Sequence, residues 1–508
     1  MRVLLMHPEK DFDIKVAFRE NATDLVQDLE LNAIINTAAA GDNLVHEAFC
    51  RALLCQDQDA TTVFYRQEVL SDCRNSPDLI RELYALASEA VEVERRAWGV
   101  WGRDEPTGVA TMAVKALELA AEFLERLRAI ADEHAPAFES RGFTRFFATI
   151  AEELGDDYLT RMHDQLKELH YPWGERVSAK AGAANRGLRY IARRTPDPGL
   201  LARLGLHRSG YGFTIPDRDE AGFQALRELE NRSLREIATV TGQASGHVKA
   251  FFTQLRIELA FYVGALNLYD ALEHASATVC TPTIADSGEV DFSATDLYDV
   301  ALALTLERAP VPNSLDAKDK PLIVVTGANQ GGKSTLLRAI GQAQLMAQTG
   351  LQVGAGKLRL NLCSGVFTHH KREEDASMES GKLDEELARM SHIADLITPG
   401  ALLLCNESFA STNEREGSEI ARQIVRAMLD SGIKVVFVTH QYDLAGGFWS
   451  TSHDSALFLR AEREDDGERT YKLVVGEPLP TSYGADSYRA VFGRALTERE
   501  QPATVRSE

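Results

Sequence analysis

The chain has 508 residues, which is too long for one hydrophobic core and predicts two to four domains. Its 44% hydrophobic content is that of an ordinary soluble protein, and no apolar run approaches the roughly 20 residues that a membrane span needs. The net charge of −21 argues against a surface that coats nucleic acid everywhere, although it permits a local basic contact surface.

The start of the chain turns acidic after an apolar segment that is too short for a signal peptide. Its six cysteines are scattered, with no CxxC pair, which argues against a zinc site and predicts reduced thiols. We therefore expect a cytoplasmic protein without a membrane partner.

The first 300 residues are predicted to be mainly helical. In residues 107–135 and 246–274, apolar side chains recur at steps of three and four, so each segment predicts a long helix with one apolar face. Packing is the expected role of both faces. The apolar positions of the first helix are Val109, Met112, Ala116, Leu119, Phe123, Leu127 and Ile130.

Turn signals at residues 194–199 and 210–216 predict a smaller insert at about 170–216. Between residues 278 and 315 the helical pattern gives way to the strand and helix alternation that is typical of an α/β nucleotide-binding domain. We expect a helical domain over 1–300, an α/β domain over 301–495 and a disordered tail over 496–508.

A basic segment lies inside the predicted insert. Residues 176–208 carry eight basic side chains and a single acid, Asp197. The spacing of Arg186, Arg189 and Arg193 predicts one helical face, and Arg194 follows directly. Arginines at this density suit contacts to the phosphates of DNA without base readout. A solvated face, or a patch that pairs with acidic surface of the same chain, is the alternative.

Residues 321–335, PLIVVTGANQGGKST, form the most specific motif of the chain. A short apolar strand leads through Gly-x-x-x-x-Gly-Lys-Ser into a helical run, which is the P-loop in its required context. Backbone N–H groups and the helix N-terminus cradle phosphate, Lys333 reaches the terminal phosphates, and the Ser334 hydroxyl is placed to bind Mg²⁺. The predicted ATP-binding residues are Gly327, Asn329, Gly331, Gly332, Lys333, Ser334 and Thr335.

A second apolar strand, residues 401–405, ends in Asn406 and Glu407. In P-loop enzymes this position delivers an acid beside Mg²⁺, followed by a glutamate that orients or deprotonates the attacking water. Glu407 fits the second role. Asn406 stands where aspartate is usual, so it can accept a hydrogen bond from a Mg²⁺-bound water but brings no negative charge.

A third strand, residues 433–438, ends in Thr439 and His440, and this histidine is predicted to sense the terminal phosphate. Two polar segments, 377–387 and 411–417, each precede or open a helix. Their free N–H groups either face a phosphate or belong to ordinary helix caps.

Together these motifs resemble the MutS family of DNA mismatch-repair ATPases, which belong to the ABC-type P-loop class. TGANQGGKST is similar to the family's TGPNMGGKST, and CNESFASTNEREG is similar to its DEIGRGTSTYDG. Thr439-His440 matches the family's ATH, and residues 482–484 match its late SYG. The likeness covers residues 310–495, where several motifs occur in the family's order.

The resemblance implies an ABC-type ATPase domain preceded by a mainly α-helical lever with a short clamp that grips the DNA backbone. It also implies a homodimer in which each site takes a signature helix from the partner chain. The signature corresponds here to Ser380, Gly381 and Lys382. The family's usual serine is leucine at position 383, so Ser380 or Ser377 would take its place in the contact to the terminal phosphate. Asn313 resembles the asparagine that contacts adenine.

We expect the family's N-terminal mismatch-reading and connector domains to be missing, since about twenty-five residues precede the lever-like helices. We therefore expect an ATPase that uses ATP and Mg²⁺ and binds structured, mismatched or branched DNA in repair or recombination. A relative that acts on ribosomes or RNA is the alternative within the family. A nucleotide-gated interaction protein with little turnover, which Asn406 suggests, is the alternative from another class.

Overall fold

The computed structural model describes residues 1–55, 59–97, 105–170, 176–181, 183, 187–193, 214–286, 288–327, 330–371, 381–463 and 469–479. The chain forms two compact units. Unit 1 combines residues 1–12 with 71–260, and unit 2 combines residues 13–70 with 261–508. The units therefore do not follow the linear order of the chain, because residues 13–70 pack with its C-terminal half.

The α-helices of the described residues are numbered in chain order. They are α1 Ala22–Asp28, α2 Leu31–Ala39, α3 Asn43–Leu54, α4 Ala60–Asn75, α5 Pro77–Ala97, α6 Pro106–His134, α7 Arg141–Glu153, α8 Asp156–Leu169, α9 Glu220–His274, α10 Val300–Leu306, α11 Lys333–Thr349, α12 Lys382–Leu396, α13 Glu414–Asp430 and α14 Tyr442–Ser452. None of them is both long and apolar enough to cross a membrane.

The strands of the described residues form three sheets. They are β1 Arg176–Ala181, β2 Gly187–Arg193, β3 Thr283–Ile284, β4 Phe292–Leu297, β5 Asn313–Asp316, β6 Leu322–Thr326, β7 Lys357–Leu360, β8 Val366–His370, β9 Leu402–Asn406, β10 Lys434–Val438, β11 Ala456–Arg463 and β12 Arg469–Val475. The sheet orders are β1-β2, β3-β7-β4-β5 and β12-β11-β6-β10-β9-β8.

Unit 1 is built from helices whose apolar faces pack together. The predicted helix over 107–135 is α6, in which Ala116, Phe123 and Leu127 are buried. The other predicted positions of its face are half-buried, because small residues such as Ala113 and Ala121 turn the buried face slightly. The predicted helix over 246–274 is also confirmed, but α9 begins earlier, at Glu220.

The N-terminal segment of unit 1 is held by a buried carboxylate on α9. Glu258 is fully buried, and its oxygens accept hydrogen bonds from the backbone N–H groups of Leu5, Met6 and Phe12 at 2.6, 2.9 and 3.0 Å. Gln254 Nε2 donates a fourth hydrogen bond at 2.8 Å. Donors on every side compensate part of the free energy that burial of a carboxylate costs.

The basic segment of unit 1 differs from its prediction. Residues 176–193 include an antiparallel pair, β1 and β2, in which Arg176 lies opposite Arg193. The predicted helical face of Arg186, Arg189 and Arg193 is therefore wrong, because the backbone hydrogen bonds of this segment go to a neighbouring strand. Arg186 and Arg194 lie outside the described residues.

Unit 2 contains the α/β domain that the sequence predicts. In its six-stranded sheet, β8, β9, β10, β6 and β11 are parallel, and β12 adds an antiparallel edge. One face packs against α12, α13 and α14 through side chains such as Phe437, Met390 and Val425. The strands predicted over 322–326, 401–405 and 433–438 are β6, β9 and β10. Their carboxyl ends meet at one edge, where ligands bind in open α/β sheets.

Helix α11 lies between the two larger sheets and contacts β4, β8, β9 and β10. Residues 13–70 hold this helix from its other side. Arg338 of α11 donates to Glu30 at 2.6 Å and to the buried Asp299 at 2.7 Å. Gln342 Nε2 donates to Leu29 O at 3.0 Å. These contacts attach the segment after α1 directly to the helix that follows the P-loop.

Candidate nucleotide-binding and active site

The P-loop connects β6 to α11, and the hairpin β11–β12 lies against it. Gly327 has φ 117° and Gly332 has φ 87°, which are left-handed conformations that side chains disfavour. A Cβ atom on Gly327 would lie 2.8 Å from Ala461 Cβ, and one on Gly332 would lie 3.2 Å from Tyr471 O. Both glycines are therefore needed because the hairpin approaches the loop closely.

Helix α11 begins at the P-loop without a side-chain cap. Gly332 is the N-cap residue, so no side chain accepts hydrogen bonds from the first-turn N–H groups. These groups, together with the partial positive charge of the helix N-terminus, form an anion site. Gly331 is buried and Thr335 half-buried in this first turn, whereas Asn329 lies outside the described residues.

Lys333 is 5% exposed, and its Nζ donates to Gly327 O at 2.9 Å. Burial lowers the pKa of Lys333, the Glu407 carboxylate opposes this shift, and the Arg469 guanidinium adds to it. A buried ammonium beside free N–H groups favours a polyanionic ligand, which replaces the hydration that the lysine has lost.

The predicted metal residues lie together. Ser334 Oγ donates to Asn406 Oδ1 at 2.9 Å, which links the first turn of α11 to the end of β9. In the described part of the chain, no group of three His, Cys, Asp or Glu side chains is placed to hold a metal ion. This donor set fits Mg²⁺, which commonly takes one or two protein ligands and completes its shell with phosphate oxygens and water.

Glu407 and His440 also meet at this edge. Glu407 Oε1 lies 3.6 Å from His440 Nδ1, and Glu407 N donates to Val438 O at 2.9 Å. The neighbouring imidazole of His440 lowers the pKa of Glu407; burial opposes this shift, and the positive charges of Lys333 and Lys371 add to it. Glu407 is therefore held as a carboxylate, the form that accepts a proton or a hydrogen bond from water.

The segment after Glu407 contains an ordinary helix cap. Asn413 Oδ1 accepts from Glu416 N at 3.0 Å and starts α13. Of the predicted signature residues, Gly381 is the N-cap of α12 and Lys382 is its first residue, whereas Ser380 lies outside the described residues. Gly381 offers no side-chain cap, so first-turn N–H groups of α12 can serve a ligand.

A buried polar network behind Glu407 was missed by the sequence reasoning. His369 Nδ1 lies 2.7 Å from Ser408 Oγ, and His369 Nε2 lies 3.0 Å from Glu386 O. Ser411 Oγ donates to Glu386 Oε1 at 2.7 Å. The network joins α12 to the loop that follows Glu407. Its members are ordinary polar residues far apart in sequence, so no local pattern indicated them.

The hairpin β11–β12 adds side chains that no motif indicated. Asn313, the predicted adenine contact, donates from Nδ2 to Tyr471 O at 3.2 Å and accepts from Leu473 N at 2.7 Å. Its amide thus joins β5 to β12. Arg469 Nη1 donates to Gln330 Oε1 of the P-loop at 2.6 Å, and the ring of Tyr471 is half exposed. In the sequence Arg469 belongs to none of the motifs, so its basic side chain was the only feature that could have indicated it.

The candidate DNA contacts lie on the hairpin β1–β2. Arg176, Lys180, Arg189 and Arg193 are exposed. Within the described residues none of these four side chains has an acidic partner, and Arg193 Nε donates to Ser178 Oγ at 3.0 Å. The described residues therefore give no support to pairing with acidic surface of the same chain. The structure places these cations on a strand pair, and it does not test their role in DNA binding.

Comparisons with known proteins agree with the motifs. Residues 58–275 match the MutS2 N-terminal domain, and residues 323–492 match MutS domain V. The chain is 31% identical over 186 residues to the probable DNA mismatch repair protein Msh6 of Drosophila melanogaster, covering 34% of this chain and 16% of that protein. It is 32% identical over 192 residues to endonuclease MutS2 of Thermus thermophilus, covering 37% and 24%.

Another relative matches over a longer stretch. The chain is 27% identical over 296 residues to endonuclease MutS2 of Brevibacillus brevis, covering 54% of this chain and 36% of that protein. The matched segments thus span between 16% and 36% of the length of these relatives. MutS domain V is a P-loop ATPase domain, and its match contains the P-loop, Glu407 and His440.

Proposed function

Because the chain belongs to the MutS family, we propose that it is an ATP-dependent DNA-binding protein that hydrolyses ATP. The observation that carries the proposal is the convergence of Lys333, Ser334, Asn406 and Glu407 at one edge of a parallel sheet. These residues come from two segments far apart in sequence, the start of α11 and the end of β9. Lys333, Ser334 and Glu407 have the chemistry that their places in a P-loop ATPase require, and Asn406 keeps an oxygen acceptor without the charge of aspartate.

In this proposal the chain's own groups divide the work. Bound ATP supplies the phosphoanhydride bond that is cleaved, and Mg²⁺ supplies positive charge beside its phosphates. Lys333 and the first turn of α11 hold the phosphates through charge and N–H donors. Ser334 supplies a hydroxyl ligand for Mg²⁺, and Asn406 holds a metal-bound water through its amide oxygen.

Glu407 orients the attacking water or accepts its proton. His440, beside Glu407, stabilises the carboxylate and is placed to respond to the terminal phosphate. Water that is held in place by a carboxylate attacks at lower entropic cost than free water. We propose that Asn313 lies near the adenine, where its second N–H remains a donor beyond the contact to Tyr471.

The active form in this proposal is a homodimer. Gly381 and the N-terminus of α12 lack a side-chain cap, which suits them to a phosphate bound by the second copy. ATP binding would close the dimer, and hydrolysis would reopen it. The network of His369, Ser408 and Glu386 would keep α12 in register with the loop after Glu407.

The DNA partner is proposed to be structured, mismatched or branched duplex, gripped through its phosphates in a repair or recombination role. The exposed cations Arg176, Lys180, Arg189 and Arg193 support this assignment, together with Arg186 and Arg194 from the sequence. Contacts to phosphate hold a duplex without reading its bases.

A nucleotide-gated switch with little turnover is the second candidate, and the amide of Asn406 beside Ser334 favours it. Steady-state ATPase rates with and without junction DNA separate the two. An ATPase gives continuous phosphate release that Glu407→Gln abolishes. A switch binds nucleotide with the same Mg²⁺ dependence but releases at most one phosphate per site, and that result would overturn the enzyme assignment.

A further inference from the structure

Arg469 stands beside the P-loop, outside every motif that indicated the nucleotide site. It is the first residue of β12, and its Nη1 donates to Gln330 Oε1 at 2.6 Å. Gln330 itself has φ 61°, a left-handed conformation. A residue with a Cβ atom adopts this conformation only at a cost in free energy. The contact between Arg469 and Gln330 therefore joins β12, the edge strand of the sheet, to the P-loop.

The partner of Arg469 is a neutral oxygen. Within the described residues no carboxylate pairs with this guanidinium, and the nearby acid Glu462 accepts instead from the Thr470 hydroxyl at 2.9 Å. Among the described residues, Gln330 uses one of the five N–H donors of this guanidinium, and a guanidinium N–H is a donor that an anion can bind.

Arg469 also lies close enough to Lys333 for the two cations to repel each other. Two like charges close together, one on β12 and one at the P-loop, raise the free energy of the empty site, and an anion bound between them would be attracted to both. The N-terminus of α11 adds positive potential at the same place. Arg469, Lys333 and the N-terminus of α11 thus all bring positive charge to the P-loop, and a polyphosphate would neutralise that charge.

We propose that Arg469 is a phosphate ligand of the same chain, which donates to the terminal phosphate of the nucleotide held by Lys333. This inference rests on the proposed ATP binding. The planar guanidinium can give two parallel hydrogen bonds to phosphate oxygens, which a lysine cannot. Gln330 would hold the arginine in place before the nucleotide arrives, so that less side-chain entropy is lost on binding.

The test measures binding rather than turnover. Fluorescent ATP and ADP analogues are titrated into the full chain, with Glu407→Gln in every protein so that ATP is not consumed. Arg469→Ala is expected to weaken ATP binding by about tenfold to a hundredfold, since hydrogen bonds to charged groups contribute about 1.5–3 kcal/mol. ADP binding should weaken about threefold or less, because ADP lacks the terminal phosphate.

Further variants separate the ligand from the scaffold. Arg469→Lys keeps the charge, so its affinity for ATP should lie between those of the wild-type residue and Arg469→Ala. Gln330→Ala keeps the guanidinium, so it should weaken ATP binding less than Arg469→Ala does. Arg426→Ala removes an exposed arginine of α13 and is the matched control, with unchanged affinities. Thermal melting without nucleotide checks that each variant folds.

Equal losses for ATP and ADP, or unchanged affinity in Arg469→Ala, would overturn the assignment. If the protein with Arg469 intact binds neither analogue, the proposed ATP binding itself fails, which is a distinguishable result.

Discussion

The hydroxyl of Ser334 donates a 2.9 Å hydrogen bond to the side-chain oxygen of Asn406. The two residues are 72 positions apart in sequence, with two helices and three strands between or around them, yet they meet at the position where a P-loop enzyme holds its metal ion. An amide there keeps the acceptor that Ser334 uses but leaves the site without the negative charge of aspartate. We therefore expect the strength of the proposed metal site to depend on this asparagine.

Asn406→Asp should lower the Mg²⁺ concentration needed for half-maximal ATP hydrolysis, because a carboxylate attracts the hydrated cation more strongly than an amide does. We expect a decrease of about threefold to tenfold, measured by titrating Mg²⁺ at saturating ATP. Asn406→Ala, which removes the acceptor for Ser334, is the matched control and should raise the requirement. An unchanged or higher requirement in Asn406→Asp would show that the end of β9 has been misinterpreted.

Lys333→Ala and Glu407→Gln should separate binding from hydrolysis. Loss of the buried ammonium removes a charged contact to phosphate, so Lys333→Ala should bind ATP at least tenfold more weakly. Glu407→Gln keeps the shape of the side chain but cannot accept a proton, so it should bind ATP normally and slow turnover by about a hundredfold or more. Equilibrium binding and phosphate release are the two measurements. Turnover by Glu407→Gln at the wild-type rate would exclude Glu407 as the water-positioning residue.

Replacing Arg176, Arg189 and Arg193 together by alanine should make the salt dependence of DNA binding shallower. Each phosphate contact releases condensed counterions and contributes about −0.9 to the slope of log K against log salt on duplex DNA. The slope should therefore change by roughly two to three, and affinity should fall about equally for matched and mismatched duplexes. ATPase activity without DNA should survive.

The matched control for the hairpin removes three exposed cations elsewhere, Arg308, Lys318 and Arg426. This control changes net charge by the same amount, so it should lower affinity slightly while leaving the slope close to that of the wild type. Identical slopes in the hairpin variant and the wild type would leave the hairpin as a solvated surface.

Glu258→Gln tests the buried carboxylate that holds the N-terminal segment. Burial raises the pKa of Glu258 above 4.5, the hydrogen bonds from Gln254 and the backbone oppose the shift, and no charged group takes part. The folded chain thus holds this proton more tightly than the unfolded chain. The stability that this provides is fully present below pH 4.5 and is lost as pH rises through the folded pKa.

The free energy of unfolding of the wild type minus that of Glu258→Gln should therefore decrease from pH 5 to pH 8. Urea denaturation at several pH values measures this difference, in which the titration of other groups cancels. A difference that grows with pH would mean that the four donors outweigh burial and hold Glu258 as a carboxylate. Melting of the N-terminal segment alone would appear as a separate early transition.

Some elements were predictable because their signal is local. The strand, glycine loop and helix around Lys333 lie within one continuous segment, and the apolar runs before Asn406 and Thr439 are short strands that end at polar residues. The start of α9 was not predicted. Its first turns carry Phe223, Leu226 and Leu229, which are more than one-third exposed, so no buried face marks this part of the helix.

The hairpin of the basic segment shows the limit of periodicity. Judged only by their sequence positions, Arg186, Arg189 and Arg193 lie at steps of three and four, and this spacing fits one face of a helix. The outcome depends on whether a second segment offers backbone hydrogen bonds, and residues 176–181 do so. Arg189 has φ 54°, so regular alternation along β2 is interrupted at this arginine.

From consecutive residues alone we predict a nucleotide site, with Lys333, Ser334 and Glu407 as its lysine, hydroxyl and glutamate, and the same motifs indicate the family. The tertiary structure alone decided what surrounds them. Arg469 of β12 contacts Gln330 of the P-loop, Asn313 of β5 bonds to the backbone of β12, and residues 13–70 join the C-terminal half, where Glu30 pairs with Arg338. The reason is physical: a loop that binds phosphate is encoded in consecutive residues, whereas contacts between distant segments arise only when sheet order and helix packing bring them together.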